Sequence, residues 1–228
     1  MFNRYTITAL PSSIELKFGV RVPLQYHPNF NAAPGHYLPV ILNTRIGEVI
    51  LAKWGLATEK NELPGKKHGF FIRDLRTVKK NEDWQKNILE QRCLILSDGF
   101  YIWKSISKKS KVPYRVVSKT DKLICLGGCW EMDEFRDIRF SILTKESYRP
   151  VNELARQMPV VLTPNMELRW LNPKRTLEQI IRDAEIEDWA LLKYYPVSPK
   201  IKNADLNSPS LIKLAPRADQ YGNLTLFD

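Results

Sequence analysis

Short runs of β-type residues, divided by turn-forming ones, limit this chain to a sheet-based fold. The clearest are Tyr37–Leu42, Glu48–Trp54, Cys93–Leu96, Phe100–Lys104, Pro113–Val117, Leu123–Trp130 and Arg139–Thr144. Their β-branched and aromatic side chains suit a pleated, half-buried surface. Asp98-Gly99 is a turn signal between two of these runs, of the kind that closes hairpins. Helices are marked elsewhere. Asn81 is placed to cap a segment whose first turn holds Glu82 and Asp83, with Trp84 and Ile88 on one face. Thr163-Pro164 reads as an N-cap followed by proline at the first helical position. Thr176 with Gln179 reads as a capping box opening Leu177–Ala184, whose Leu177, Ile180 and Ile181 form an apolar stripe. The chain shows no internal repeat and no dividing linker. The expectation is α+β: one β-rich domain over residues 1–228, mainly antiparallel, with a few inserted and flanking helices.

Length and charge narrow the function classes. A chain of 228 residues with 43% hydrophobic and 26% charged residues can bury a core of ordinary size. No apolar run approaches the roughly 20 residues of a membrane span. The start lacks a basic stretch followed by an apolar one, so no secretion signal is expected. Cys93, Cys125 and Cys129 are an odd set in apolar surroundings, which fits reduced thiols in a cytoplasm. A net charge of +10 and a pI near 9.5 suit phosphate neutralisation. They equally suit a lysine-rich solubilising surface. Lys104, Lys108, Lys109 and Lys111 crowd one polar turn and fit either role. Cys125 and Cys129 lie four apart in a β-type run without a ligand-spaced companion, and His27, His36 and His68 are scattered. Neither a metal site nor a cofactor is expected.

Ordered motifs run along nearly the whole chain. They are Arg4-Tyr5, Asn31-Ala32-Ala33-Pro34, Lys53-Trp54-Gly55-Leu56, the block Arg92 to Trp103, and Pro113-Tyr114. Gly127-Gly128-Cys129-Trp130, Thr144, Gln157-Met158-Pro159-Val160-Val161-Leu162 and Tyr195-Pro196-Val197-Ser198 follow. In this pattern the chain resembles the SOS-response-associated peptidase (SRAP) family, whose members shield abasic sites in single-stranded DNA by linking to them covalently. The resemblance implies a compact barrel-like fold. It also implies a chemistry in which removal of Met1 exposes an N-terminal cysteine. The free amine and soft thiol then act together on the open-chain aldehyde of the abasic sugar. An asparagine, a glutamate and a histidine hold the sugar and move protons.

Matched residue by residue, the cysteine position is Phe2, the asparagine Ile72, the glutamate Ile102 and the histidine Ala155. A bulky Phe2 is also expected to leave Met1 in place. The resemblance thus implies a catalytically silent relative whose former pocket is filled by hydrocarbon. Two rescues stay open at this stage. Arg73, Asp74 and Arg76 beside Ile72, or Asn3 after Phe2, supply polar groups a residue or two away. Cys93 offers a thiol, although its run reads as strand core.

Arg4, Pro34, Trp54, Trp103 and Thr144 fall on positions that the resemblance assigns to DNA contact. Each tryptophan also reads as a core residue. Three groove arginines of the family are replaced, by Asp74, Glu82 and Gln157, while Arg73 and Arg76 are candidates to compensate. The expected function is non-covalent binding of single-stranded or junction DNA by a cytoplasmic monomer. The alternatives are a protein-interaction module and an enzyme of altered chemistry.

Overall fold

The computed structural model describes residues 2–56, 71–120, 123–188 and 191–225. Met1 and His68 lie outside them. The strands are β1 (Tyr5–Ile7), β2 (Asn29–Ala32), β3 (Tyr37–Leu42), β4 (Arg45–Trp54), β5 (Ile72–Asp74), β6 (Arg92–Ser97) and β7 (Gly99–Ser105). They continue with β8 (Lys111–Ser118), β9 (Ile124–Met132), β10 (Ile138–Glu146), β11 (Gln157–Pro159), β12 (Val161–Leu162) and β13 (Leu192–Pro196). The helices are α1 (Pro11–Phe18), α2 (Leu75–Val78), α3 (Glu82–Glu90), α4 (Pro164–Leu171) and α5 (Leu177–Glu185). Every β run expected from the sequence is a strand, and the architecture is β-rich α+β.

The smaller sheet has the order β13-β8-β7-β1-β2 and is antiparallel throughout. The larger runs β11-β10-β4-β3-β6-β9-β12, and β10 also pairs with β9. Strands β10, β4, β3, β6 and β9 therefore close into a ring, which removes open edges. The pairings of β10 with β4 and with β5 are parallel. Close approach explains the glycines of β9. A Cβ on Gly128 would stand 2.5 Å from Ile95 and 2.6 Å from the Ser141 carbonyl of β10.

Asp98-Gly99 closes no hairpin, since β6 and β7 lie in different sheets. It is a corner at which the chain changes sheet. A Cβ at Gly99 would stand 2.9 Å from the Val116 carbonyl, so only glycine lets β8 come this near. The Asp98 carboxylate accepts from Thr6 Oγ1, from Thr8 N at 2.5 Å and from Arg115 Nη2 at 2.9 Å. One side chain thus ties the corner to β1 and β8.

Capping follows the sequence at two helices out of three. Asn81 accepts from Trp84 N at 2.9 Å, and both bonds of the Thr176–Gln179 box are present. Thr163 makes no side-chain cap, leaving Pro164 to start α4. Arg92, fully buried, joins two helix ends. Its Nε donates to Trp170 O (2.6 Å), Nη1 to Ile88 O (2.9 Å) and Leu89 O (2.5 Å), and Nη2 to Asn172 O (2.7 Å). These carbonyls end α3 and α4, where the helix partial charge is negative and partners are lacking. Arg92→Met is expected to cost about 3 kcal/mol, because buried carbonyls lose their donor. Urea denaturation reads this as a lower midpoint, and an unchanged midpoint contradicts it.

Candidate nucleic-acid interface

The N-terminal segment enters the core through an aromatic cluster. Phe2 is 1% exposed, with its ring 5.9 Å from Trp54 and 5.9 Å, edge-on, from Phe100. Trp54 also meets Tyr5 at 5.2 Å and stacks on Phe140 at 6.3 Å. Ile102 lies two residues beyond Phe100 on β7, hence on the same strand face, and is fully buried. Ile72 opens β5 opposite Ile142, and Ala155 precedes β11. Both are half-buried against the hydrophobic cluster that contains Phe2 and Ile102.

The neighbouring polar groups are committed elsewhere. Arg73 turns inward, donating to Asn87 Oδ1 at 2.7 Å, with its guanidinium 4.9 Å from the Trp84 ring. Asp74 caps α2 by accepting from Arg76 N at 2.8 Å, pairs with Arg76 Nη2 at 2.7 Å and accepts from Gln157 Nε2 at 2.5 Å. The Arg76 hydrogen bond is the main reason its carboxyl is held below the usual range. Asp74 and Gln157, at two positions where the resemblance expects arginine, thus satisfy each other. Glu82 is exposed at the start of α3. Cys93 is fully buried on β6, and burial pushes its thiol well above the ordinary value, so it is no nucleophile as placed. Among the described residues no cluster of metal-ligating side chains occurs. None of the described helices is long and apolar enough to cross a membrane.

Two clefts meet at Arg4. One, of about 620 Å³, is lined by Pro34, Lys53, Gly55, Phe71 and Arg139, with Trp54 in its floor. The other, of about 350 Å³, is lined by Trp103, Lys111, Ile201, Lys202 and Gln220. Asn3 and Arg4 line both. Backbone pairing sets this position, since Tyr101 N donates to Arg4 O at 2.9 Å. Arg4 Nη2 reaches Lys202 O at 3.4 Å, while its buried Nε has no partner. Burial lowers the Arg4 pKa from its ordinary value. His36 shares this field. Burial first, and then the charge of Arg4, hold its imidazole below the ordinary value, with Asp205 opposing. Arg139 is bound to Asp133 at 2.6 Å, which leaves Arg4, Lys53, Lys111 and Lys202 as groove cations with no carboxylate partner among the described residues.

Among the residues expected to contact DNA, the structure brings Arg4, Pro34 and Trp103, all half-buried, to this groove. The other two, Trp54 and Thr144, are buried. Trp54 is 1% exposed, and its Nε1 donates to Phe71 O at 2.7 Å, so its ring has no free face for a base. Thr144 is also 1% exposed, with Oγ1 turned to Arg73 O at 3.4 Å. Sequence reasoning missed Lys53, Arg139 and Lys202 as groove residues. Lys53 stands within the Lys53-Trp54-Gly55-Leu56 motif, where its exposure to the groove is set by tertiary packing.

The description SOS response associated peptidase (SRAP) matches residues 1–204. The chain belongs to that family. Abasic site processing protein YoqW of Bacillus subtilis is 30% identical, over 93% of this chain and 99% of its own length. Abasic site processing protein HMCES of Xenopus tropicalis is 25% identical, over 81% of this chain and 65% of its own length. A crystal structure of a Bacteroides thetaiotaomicron protein shares the fold, with a TM-score of 0.79 at 18% identity over 93% of this chain and 99% of that one. Within this fold Phe2 is buried in the core. Phe2→Ala is expected to cost about 3 kcal/mol through the cavity it leaves. The check is the urea midpoint, and a variant as stable as wild type means that Phe2 is not seated as described.

Proposed function

We propose that this chain binds single-stranded DNA without linking to it, the covalent trap of its family having been exchanged for packed hydrocarbon. The observation that carries this is the burial of Phe2, 1% exposed, where the family resemblance implies a cysteine nucleophile. Ile72, Ile102 and Ala155, which the resemblance aligns with the supporting polar groups, belong to or pack against the same main hydrophobic core. No thiol is offered in their place, since Cys93, Cys125 and Cys129 are all buried. The relatives' names as abasic site processing proteins support DNA as the partner, single-stranded or at a junction. The free thiols fit a cytoplasmic setting, and one SRAP domain acting as a monomer is sufficient for the groove. Asp74 does not argue against DNA. Its charge is met by Arg76 and Gln157 rather than turned toward the strand.

Salt dependence tests this reading. If Arg4, Lys53, Lys111 and Lys202 each neutralise one phosphate, single-strand binding weakens with a log–log slope of about −3. Fluorescence anisotropy with a labelled oligonucleotide should then show about fiftyfold weaker binding between about 50 and 200 mM salt. Arg4→Ala should flatten the slope by about 0.7. Absence of binding at the lowest salt contradicts the proposal.

A further inference from the structure

Residues 205–225 lie beyond the matched family segment, yet they bring Gln220 to the lining of the groove. The tail crosses the outer face of β7, where Val197, Ile201 and Leu211 pack with Tyr101 in a second small core. The turn Asp219–Asn223 is then fastened to the tip of the β7–β8 hairpin. Gln220 Oε1 accepts from Lys111 N at 2.6 Å, and Gln220 Nε2 donates to Lys109 O at 2.7 Å. Ser110 Oγ donates to Asp219 Oδ2 at 3.3 Å. The turn is also braced from within. Asp219 Oδ1 accepts from Tyr221 N at 2.9 Å and Asn223 N at 3.0 Å, while Gly222 takes a φ of +91°, where other residues are strained.

Held this way, Gln220 lines the cleft of Arg4 and Trp103. The next residue, Tyr221, is 70% exposed, with Lys202 Nζ 5.6 Å from its ring centroid. An aromatic ring kept in water on a braced turn, beside an ammonium of the groove, is the pairing that single-strand sites use. The cation meets a phosphate while the ring meets a base. Trp54 cannot supply that ring, because both its faces are covered.

We infer that Tyr221 is a base-stacking residue, and that the tail extends the single-strand track past Lys202. This rests on the DNA-binding reading above. Tyr221 sits on the surface, so Tyr221→Ala is expected to melt at the wild-type temperature while binding single-stranded DNA at least about fivefold more weakly. Its salt slope should be unchanged, because no phosphate contact is lost, and Tyr221→Phe should bind as wild type. In parallel, an oligonucleotide carrying 5-iododeoxyuridine, irradiated with the wild-type chain, should cross-link to Tyr221 in peptide mass spectra. Wild-type binding with an unaffected Tyr221→Ala variant and cross-links elsewhere overturns the role of the tail and leaves the DNA reading standing. Failure of the wild type to bind any single strand overturns both.

Discussion

Phe2, enclosed by Trp54 and Phe100, is the contact on which the rest of the arrangement depends. Burial of such a ring contributes roughly 1.5–3 kcal/mol, and the edge-on contact about 0.5–1.5 more. That offsets the cost of fixing one or two residues of terminal backbone, about 1–2 kcal/mol each. The segment before β1 is therefore held rather than frayed. Arg4 follows two residues later, its carbonyl bonded by Tyr101 N and its side chain released between two clefts. A hydrophobic anchor packed between residues of the two sheets thus positions a cation at the clefts.

Replacement of a polar site by a piecemeal route is costly, since each buried group left without a partner costs about 1–3 kcal/mol. The residues that the family resemblance aligns with that site avoid the cost in two ways. Phe2 and Ile102 carry no polar side-chain atom into the core. Asp74 and Gln157 bond to each other, and Arg76 completes the pair. The same logic explains Arg73. Its guanidinium is drawn to Asn87 and Trp84 and adds nothing to the groove.

Long β runs were legible because they are rich in β-branched and aromatic residues, which is a local property. Strands β1, β2, β5, β11, β12 and β13 were not, because segments of two to five residues are too short to show a period. Helix α1 escaped notice for a different reason. Leu10 precedes it and offers no side-chain cap. Asp98-Gly99 was legible as a turn, but the change of sheet was not, because Thr6 and Arg115, distant in sequence, fix the corner that leads into β7. For the site, Arg4 and Trp103 were read from motifs. Whether Trp54 and Thr144 face solvent is decided by tertiary packing alone. Tyr221 and Lys202 were invisible for the same reason, since they gain meaning only beside Lys111 and Arg4.

Intact mass spectrometry addresses the central claim most directly. The purified chain is weighed before and after incubation with single-stranded DNA containing an abasic site, under denaturing conditions. A silent, hydrocarbon-filled pocket leaves the mass unchanged, even where anisotropy reports binding. A new species heavier by the mass of the oligonucleotide contradicts that claim, because it requires a nucleophile that the seated Phe2 ring excludes.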